Sequence, residues 1–277
     1  MSERPDESNK PIESESLLPI DEHVEEIQDA EGRKVRHRGV YLLPNLFTTA
    51  NLFAGFFAII SAVNGNFYVA AATVFVAMVL DSLDGRVARL TNTQSAFGAE
   101  YDSLSDMVAF GLAPAVLAYQ WALSELGNVG LTVAFIYVAC AALRLARFNT
   151  QIGKVDKRWF IGLASPAAAG VVAGSVWAIW ALDETGVSGA DLPLVLVMFY
   201  ALLVAAAGLL MVSNIKYYSF KDLDLKGRVP FVAILVVVLV FAVIFSDPPR
   251  ILLLIFLVYA VSGPVQFLLR RRNRAEG

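Results

Sequence analysis

Cysteine and histidine are nearly absent from this chain, which has one cysteine and two histidines in 277 residues. Cys140 lies within an apolar run, and a single cysteine excludes both an intramolecular disulfide and a thiolate metal site. His23 and His37 stand near the N-terminus, outside any metal-ligand pattern. A metal site in this protein would therefore have to use oxygen ligands.

Basic residues are scarce in the first 32 residues, where eleven acidic residues stand against Arg4 and Lys10. This segment is polar and rich in Ser, Glu and Pro, so it cannot bury enough apolar surface to offset its ordering entropy. We expect residues 1–38 to form a disordered acidic tail with a basic juxtamembrane end. The segment lacks the cationic start and apolar stretch of a signal peptide, so we expect the first membrane span to serve as the insertion signal.

Long hydrophobic runs are abundant. Hydrophobic residues make up 57% of the chain, against about 45–50% in a soluble domain, and the mean hydropathy is +0.61. A helix needs roughly 20 apolar residues to cross a bilayer, whereas a barrel would need short alternating strands. The sequence predicts an all-α, polytopic membrane helix bundle with about eight transmembrane helices, at 46–64, 67–89, 99–123, 128–148, 164–182, 192–213, 229–246 and 250–269.

The basic residues are distributed unequally between the two sides of such a bundle. With eight spans, 21 of the 22 Lys and Arg residues fall on the side of the two termini, and only Arg250 falls on the other. Basic loops stay in the cytoplasm, so we expect a bacterial-type inner membrane protein with both termini cytoplasmic. The basic clusters at 33–38 and 270–274 favour contacts with anionic bilayer lipids rather than with nucleic acid.

Four aspartates stand where the second predicted span ends and the third begins. One group is Asp81-x2-Asp84-Gly85-x2-Ala88-Arg89, and the other is Gly98-x3-Asp102-x3-Asp106. A helix turns about 100° per residue, so each group shares one helix face, and the short linker makes the two helices antiparallel neighbours. We therefore expect four carboxylates to meet at the cytoplasmic edge of the membrane.

Four clustered carboxylates repel one another unless cations are bound or protons are taken up. Hard divalent cations prefer oxygen ligands, so the cluster favours Mg²⁺ or Mn²⁺. Two such ions would neutralise a diphosphate during phosphoryl transfer. Gly85, Ala88 and Gly98 lack bulk on these faces, which leaves room for a nucleotide beside the backbone.

This spacing resembles the signature of the CDP-alcohol phosphatidyltransferase family at every position. The resemblance implies that Asp81, Asp84 and Asp102 bind the metal ions, and that Asp106 lies near the metals and acts as the general base. It also implies that the small residues pack on cytidine and that Arg89 contacts a phosphate or a carboxylate. We expect the catalytic bundle at 39–220 and, at 221–277, two additional helices with a basic end.

Further segments resemble the branch of that family that uses L-serine. They begin at Leu43, Phe110, Arg144, Gly162 and Met211. Candidate donor-lipid contacts are Asn45, Thr48 and Asn51, for which helix capping or packing is the alternative. Candidate contacts to serine or phosphate are Arg144, Arg147 and Lys216, for which topology or lipid contact is the alternative.

The resulting prediction is that the enzyme transfers the phosphatidyl group of CDP-diacylglycerol to L-serine, giving phosphatidylserine and CMP, and that it is a homodimer. Direct transfer and a covalent intermediate both remain open. The nearest rival is the same chemistry with glycerol 3-phosphate or inositol phosphate as the acceptor. A cation transporter is the rival from another class, but its site would be expected near the membrane midplane between repeats, and the sequence has no repeat.

Overall fold

The computed structural model describes residues 27–28, 34–35, 42–91, 96–151, 159–182, 186–218 and 231–275. The described residues divide into two units, one within 1–40 and one within 41–277. In the first unit the structure describes one short antiparallel ladder between β1 (Ile27–Gln28) and β2 (Lys34–Val35). The predicted disorder of the acidic tail otherwise concerns residues outside the described ones.

The described residues of the second unit are mostly helical, with one short ladder. Its helices are α1 (Leu42–Val63), α2 (Phe67–Leu90), α3 (Ala96–Asp106), α4 (Ala113–Trp121), α5 (Asn128–Gln151), α6 (Ser165–Trp180), α7 (Leu194–Val212), α8 (Phe231–Ser246) and α9 (Pro248–Ala275). A π-helix (Met107–Leu112) joins α3 to α4, and single 3₁₀ turns are formed by Leu123–Leu126 and Gly189–Asp191. Strands β3 (Trp159–Ile161) and β4 (Lys216–Tyr218) pair in antiparallel fashion.

Five helices of the described residues are long and apolar enough to cross a membrane: α1, α2, α5, α7 and α9. The prediction of a polytopic helical membrane protein is therefore confirmed. The other three predicted spans also coincide with helical segments, but α6 and α8 have only 16 residues each, and the third is divided by the π-helix. The count of eight spans stays a prediction.

Small residues set the close packing of the first helices. Ala54, Ala58 and Ala62 recur every four residues along the buried face of α1. A Cβ added at Gly55 would lie 2.7 Å from the Cα of Ala109, so the backbones of α1 and the π-helix touch. Small residues allow such approach between membrane helices. The contact fixes the segment that follows Asp106 against α1.

Helix α6 lies at the centre of the bundle, and nearly all of its side chains are buried. It contacts α2, α4, α7 and α9. An apolar helix without a polar face is expected in such a position. At about 1.5 Å per residue, its 16 residues are shorter than the hydrocarbon layer. Its first residue, Ser165, is fully buried, so the N-terminal end of α6 lies inside the bundle.

Candidate active site

The four aspartates lie where the end of α2 meets α3. Carboxylate oxygens of Asp81, Asp102 and Asp106 all lie within 4.8 Å of one another. The carboxyl groups of Asp81 and Asp106 are within hydrogen-bonding reach, and so are those of Asp84 and Asp102. The antiparallel arrangement therefore brings both acidic helix faces to one point.

Helix α1 supplies a polar side chain to two of these carboxylates. Thr48 Oγ1 donates a hydrogen bond of 2.9 Å to Asp84 Oδ2, and both residues are buried. Asn51 Nδ2 donates to Asp106 Oδ1 at 3.2 Å, and Asn51 is fully buried. Thr48 and Asn51 share a face because they are three positions apart, so one side of α1 orients one aspartate from each acidic helix.

The oxygens of the site are suited to a cation. Within the described part of the chain, Asn51 Oδ1 and Asp102 Oδ1 are buried and have no hydrogen-bond partner. Such orphaned acceptors are costly unless a donor or a cation satisfies them. Carboxylate and amide oxygens beside three converging aspartates are the ligands that Mg²⁺ and Mn²⁺ prefer. The residues present therefore fit a divalent metal ion.

Open space borders the carboxylates on the α2 side. A Cβ added at Gly85 would meet no atom within 4 Å. Ala88 and Gly98 are half-buried, and Arg89 is exposed with its Nε donating to the carbonyl of Gly85 at 2.8 Å. Asn45 is half-buried at the start of α1, where its carbonyl accepts a hydrogen bond of 2.7 Å from Thr49. A planar group could approach the backbone at Gly85 without displacing a side chain.

Arg144 lies in the last third of α5, where it reaches the start of α6. Its Nη1 donates to Ser165 Oγ at 2.7 Å, at the first residue of α6. The guanidinium interacts electrostatically with Asp106 and Asp81. Its Nε is buried and, within the described ranges, has no acceptor. This donor is available to an anionic ligand beside the carboxylates.

Arg147 is engaged differently, although it shares a helix face with Arg144. Its Nη1 donates to the carbonyl of Val212 at 3.1 Å, and its Nη2 donates to those of Ile161 and Met211 at 3.0 Å each. The last carbonyls of a helix lack intrahelical donors, so Arg147 caps α7 and ties it to β3. Sequence reasoning missed this role. Lys216 is exposed on β4, opposite Ile161.

Gly162 is required where Arg147 crosses the chain. Its φ is +80°, a conformation that disfavours side chains, and an added Cβ would lie 2.6 Å from Arg147 Nη2 and 2.2 Å from the carbonyl oxygen of Met211. The Gly162 N–H donates to the carbonyl of Ile215 at 2.8 Å. The glycine thus allows β3, β4 and the end of α7 to meet around one guanidinium.

The π-helix begins directly after Asp106, and it has a chemical cause in the sequence. Pro114 has no N–H, so the carbonyl four residues earlier, that of Phe110, loses its α-helical donor. Tyr137 of α5 donates its hydroxyl to this carbonyl at 3.1 Å in a buried environment. The N–H of Ala113 bonds instead to the carbonyl of Val108, five residues back. π-Helical turns are frequent at functional sites, and this one sets the path of the chain that leaves Asp106.

Comparison with known proteins identifies the family. Residues 41–212 match the CDP-alcohol phosphatidyltransferase family. The chain belongs to this family. The matched region includes the four aspartates and both arginines and ends before β4, α8 and α9. CDP-alcohol phosphatidyltransferases are in general metal-dependent, which agrees with the oxygen-rich cluster.

Relatives of this chain occur in several organisms. A Helicobacter pylori protein named CDP-diacylglycerol--serine O-phosphatidyltransferase is 37% identical over 230 residues, 83% of this chain and 92% of the relative. A Methanocaldococcus jannaschii protein of the same name is 33% identical over 231 residues, 83% of this chain and 96% of the relative. A Bacillus subtilis protein of that name is 40% identical over 126 residues, 46% of this chain and 70% of the relative.

Proposed function

We propose that this CDP-alcohol phosphatidyltransferase transfers the phosphatidyl group of CDP-diacylglycerol to L-serine, giving phosphatidylserine and CMP. The observation that carries the proposal is the meeting of three carboxylates within 4.8 Å, two of which, Asp81 and Asp106, interact electrostatically with the half-buried Arg144. The names of the relatives favour serine as the acceptor.

Asp81, Asp84 and Asp102 would hold Mg²⁺ or Mn²⁺ in this proposal, and Asp106 would lie close to the metal site. When bound, a divalent cation neutralises charge on the donor diphosphate. Asp106 accepts the proton of the serine hydroxyl, and Asn51 fixes the carboxylate through the Nδ2 to Oδ1 bond of 3.2 Å. The serine oxygen then forms a bond to the phosphorus that bears diacylglycerol, and the bond from that phosphorus to CMP breaks.

The donor nucleotide occupies the open side of the cluster. Cytidine packs at Gly85, where an added Cβ meets no atom within 4 Å, with Ala88 and Gly98 adjacent, and Arg89 contacts a phosphate. Asn45 contributes from the start of α1. We assign Thr48 and Asn51 a positioning role toward the aspartates, because their hydrogen bonds to Asp84 and Asp106 already engage them.

The acceptor binds on the other side, where Arg144 pairs with the carboxylate of serine. A guanidinium suits this task because it binds a carboxylate in a directional, forked geometry. Arg147 has a positioning role in this proposal and does not bind the acceptor, because both of its Nη atoms already donate to backbone carbonyls. Lys216 contributes positive charge from β4. Glycerol 3-phosphate or inositol phosphate would be served less well by a pocket in which Arg147 is already engaged.

We also propose that the enzyme is a homodimer in a bacterial-type inner membrane, with both termini and the active site in the cytoplasm. The basic residues support this orientation, because 21 of the 22 fall on one side of the predicted spans. The mass of the detergent-solubilised protein, measured by light scattering, tests the dimer.

The proposed reaction is tested with purified protein in lipid vesicles, CDP-diacylglycerol, Mn²⁺ or Mg²⁺, and labelled L-serine, glycerol 3-phosphate, inositol phosphate or ethanolamine. We expect labelled phosphatidylserine and one CMP per product. If a product forms with glycerol 3-phosphate or inositol phosphate and none forms with serine, that alcohol replaces serine as the proposed acceptor. Absence of any product, together with cation flux in sealed vesicles, would favour the transporter.

A further inference from the structure

The side chain of Asn51, on α1, is buried beside the converging aspartates. Asn51 has no exposed surface, and its Nδ2 donates to Asp106 Oδ1 at 3.2 Å. Asp106 is one of the three aspartates whose carboxylate oxygens lie within 4.8 Å of one another. An amide oxygen is about 2.3 Å from the nitrogen of its own group, so Asn51 Oδ1 lies no more than about 5.5 Å from Asp106 Oδ1. The amide oxygen therefore borders the carboxylate cluster.

The orientation of this amide is fixed by its surroundings. An ionised carboxylate only accepts hydrogen bonds, so the amide nitrogen must face Asp106 and the amide oxygen must point elsewhere. The backbone is held as well, because a Cβ added at Gly55, one helical turn after Asn51, would lie 2.7 Å from the Cα of Ala109. This close contact prevents α1 from sliding along the segment that follows Asp106. Asn51 Oδ1 is thus held in one place.

Asn51 Oδ1 is left without a hydrogen bond by the described residues, although it is shielded from solvent. A buried acceptor without a donor is costly, and native proteins rarely leave one. Asp102 Oδ1, which belongs to the same cluster, is buried and unsatisfied in the same way. Two such oxygens, one on α1 and one on α3, indicate that a single cation satisfies both.

A divalent cation suits the amide oxygen better than a water molecule does. Mg²⁺ lies about 2.0–2.1 Å from its ligand oxygens, whereas a hydrogen-bonded water oxygen lies about 2.8 Å from its partner. A bare cation can therefore reach an oxygen that is shielded from water. Carbonyl oxygens are also ligands that Mg²⁺ and Mn²⁺ accept. A neutral amide adds a ligand without adding negative charge to a site that already holds four aspartates.

We infer that Asn51 is itself a metal ligand, whose Oδ1 coordinates the divalent cation while its Nδ2 holds Asp106. The inference rests on the proposed function, because it takes the aspartates as the metal site. It adds a ligand from α1 to those proposed from α2 and α3, so one amide joins the cation to the proposed general base. A cation at Oδ1 polarises the amide and strengthens the hydrogen bond that Nδ2 donates to Asp106.

A cysteine at position 51 tests direct coordination. The protein is prepared metal-free in lipid nanodiscs without donor lipid, and its only native thiol, Cys140, is replaced by alanine. Asn51→Cys exchanges the amide oxygen for a thiol, which loses its proton when it binds a metal ion. Added Co²⁺ should then give a thiolate-to-cobalt charge-transfer absorption band, which the parent protein lacks. A residue that only positions Asp106 would not produce this band.

Asn149 provides the matched control. Its Nδ2 also donates to a carboxylate, that of Glu100 at 3.4 Å, but its Oδ1 is already engaged by the hydroxyl of Ser103 at 3.1 Å. Asn149→Cys should therefore give no charge-transfer band with Co²⁺. A band in both cysteine variants would indicate nonspecific thiol binding and would overturn the inference.

The affinity for Mn²⁺, measured by electron paramagnetic resonance, is the second readout. Asn51→Leu has a similar size but no ligand atom. Even the outer partners of metal ligands contribute about 10- to 100-fold to affinity, so the Kd of Asn51→Leu should rise by about tenfold or more. Asn149→Leu should keep the wild-type Kd. If Asn51→Cys does not fold, Asn51→Leu still decides, because an unchanged Kd overturns the inference.

The same measurements separate failure of this inference from failure of the proposed function. If the wild type binds Mn²⁺ but Asn51→Cys gives no band with Co²⁺, the inference is wrong and the proposed metal site stands. If the wild type binds neither Mn²⁺ nor Co²⁺, both are wrong. Use of an alcohol other than serine would change the proposed acceptor and leave the role of Asn51 intact, since metal binding is measured without any acceptor.

Discussion

At the scale of single residues, the four aspartates differ in the partners that α1 gives them. Asp84 is buried and accepts a hydrogen bond from Thr48, whereas Asp106 accepts one from the Asn51 amide. Asp81 and Asp102 each lie within reach of one of these two carboxylates. Helix α1 therefore fixes the orientation of Asp84 and Asp106, whereas oxygens of Asp81 and Asp102 remain available to a ligand.

Asp106→Asn should abolish most turnover while sparing donor binding. A general base contributes typically 10²- to 10⁴-fold, so kcat should fall by about that factor at saturating serine. Asp81→Asn removes an oxygen ligand instead, so it should weaken both metal binding and CDP-diacylglycerol binding. Steady-state kinetics and binding of labelled donor lipid distinguish the two variants. Near wild-type turnover of Asp106→Asn would reject the base assignment.

Thr48→Val should disturb the site through Asp84. Valine has the shape of threonine but no hydroxyl, so the buried carboxylate loses the 2.9 Å hydrogen bond. Such a loss costs about 1–3 kcal/mol, and we expect a lower melting temperature and a higher metal concentration for half-maximal activity. Thr73→Val is the control, since Thr73 is partly exposed and its hydroxyl donates within its own helix, to the Val69 carbonyl. Equal behaviour of the two variants would contradict the role of Thr48.

At the scale of elements, Tyr137→Phe should destabilise the π-helix that follows Asp106. The variant leaves the buried Phe110 carbonyl without the 3.1 Å hydrogen bond. An orphaned buried acceptor costs about 1–3 kcal/mol, and kcat should fall because the segment sets the position of Asp106. The control is Tyr200→Phe, which loses a longer bond of 3.4 Å to the Val172 carbonyl. A kcat in Tyr137→Phe equal to that of the control would exclude the link to Asp106.

Hydrophobic runs and breaks predicted most of the helices, because membrane helices are defined by length and apolarity. The predicted span 67–89 corresponds to α2 (Phe67–Leu90), and 192–213 to α7 (Leu194–Val212). The third span was predicted at 99–123 as one segment, and the structure divides it by the π-helix. Hydropathy does not show which backbone carbonyls lack a helical donor. In the sequence, only Pro114 indicates that the helix is irregular here.

The last two predicted helices show the same limit of hydropathy. The predicted spans 229–246 and 250–269 leave a break between them, and the structure separates the two helices there, with α8 ending at Ser246. Helix α9 begins at Pro248, two residues earlier than predicted, because proline is tolerated in a first helical turn. The sequence suggested no function for these helices. The hydrogen bond by which Tyr217 of β4 holds the Ala260 carbonyl of α9 joins residues 43 positions apart, so no local motif indicates it.

At the scale of the whole molecule, the catalytic bundle should depend on a divalent cation. Three carboxylates within 4.8 Å repel one another in a low-dielectric environment unless a countercharge is present. Dialysis against EDTA should abolish phosphatidyl transfer, and added Mg²⁺ or Mn²⁺ should restore it, with a rise in melting temperature that follows metal concentration. Full turnover of the EDTA-treated enzyme would contradict the metal assignment.

The orientation of the whole chain yields the final prediction, which uses cysteine labelling in intact cells. The only native thiol, Cys140, is buried in α5 and is replaced by alanine. Single cysteines are then introduced near the termini by Pro5→Cys or Ala275→Cys. The control on the opposite side is Ala190→Cys, at an exposed position of the turn before α7.

Positions 5 and 275 should react with an impermeant maleimide only after permeabilisation. The reason is that 21 of the 22 basic residues fall on the side of the termini, and basic loops resist translocation. Ala190→Cys should react in intact cells. Labelling of position 5 or 275 from outside would invalidate the eight-span orientation.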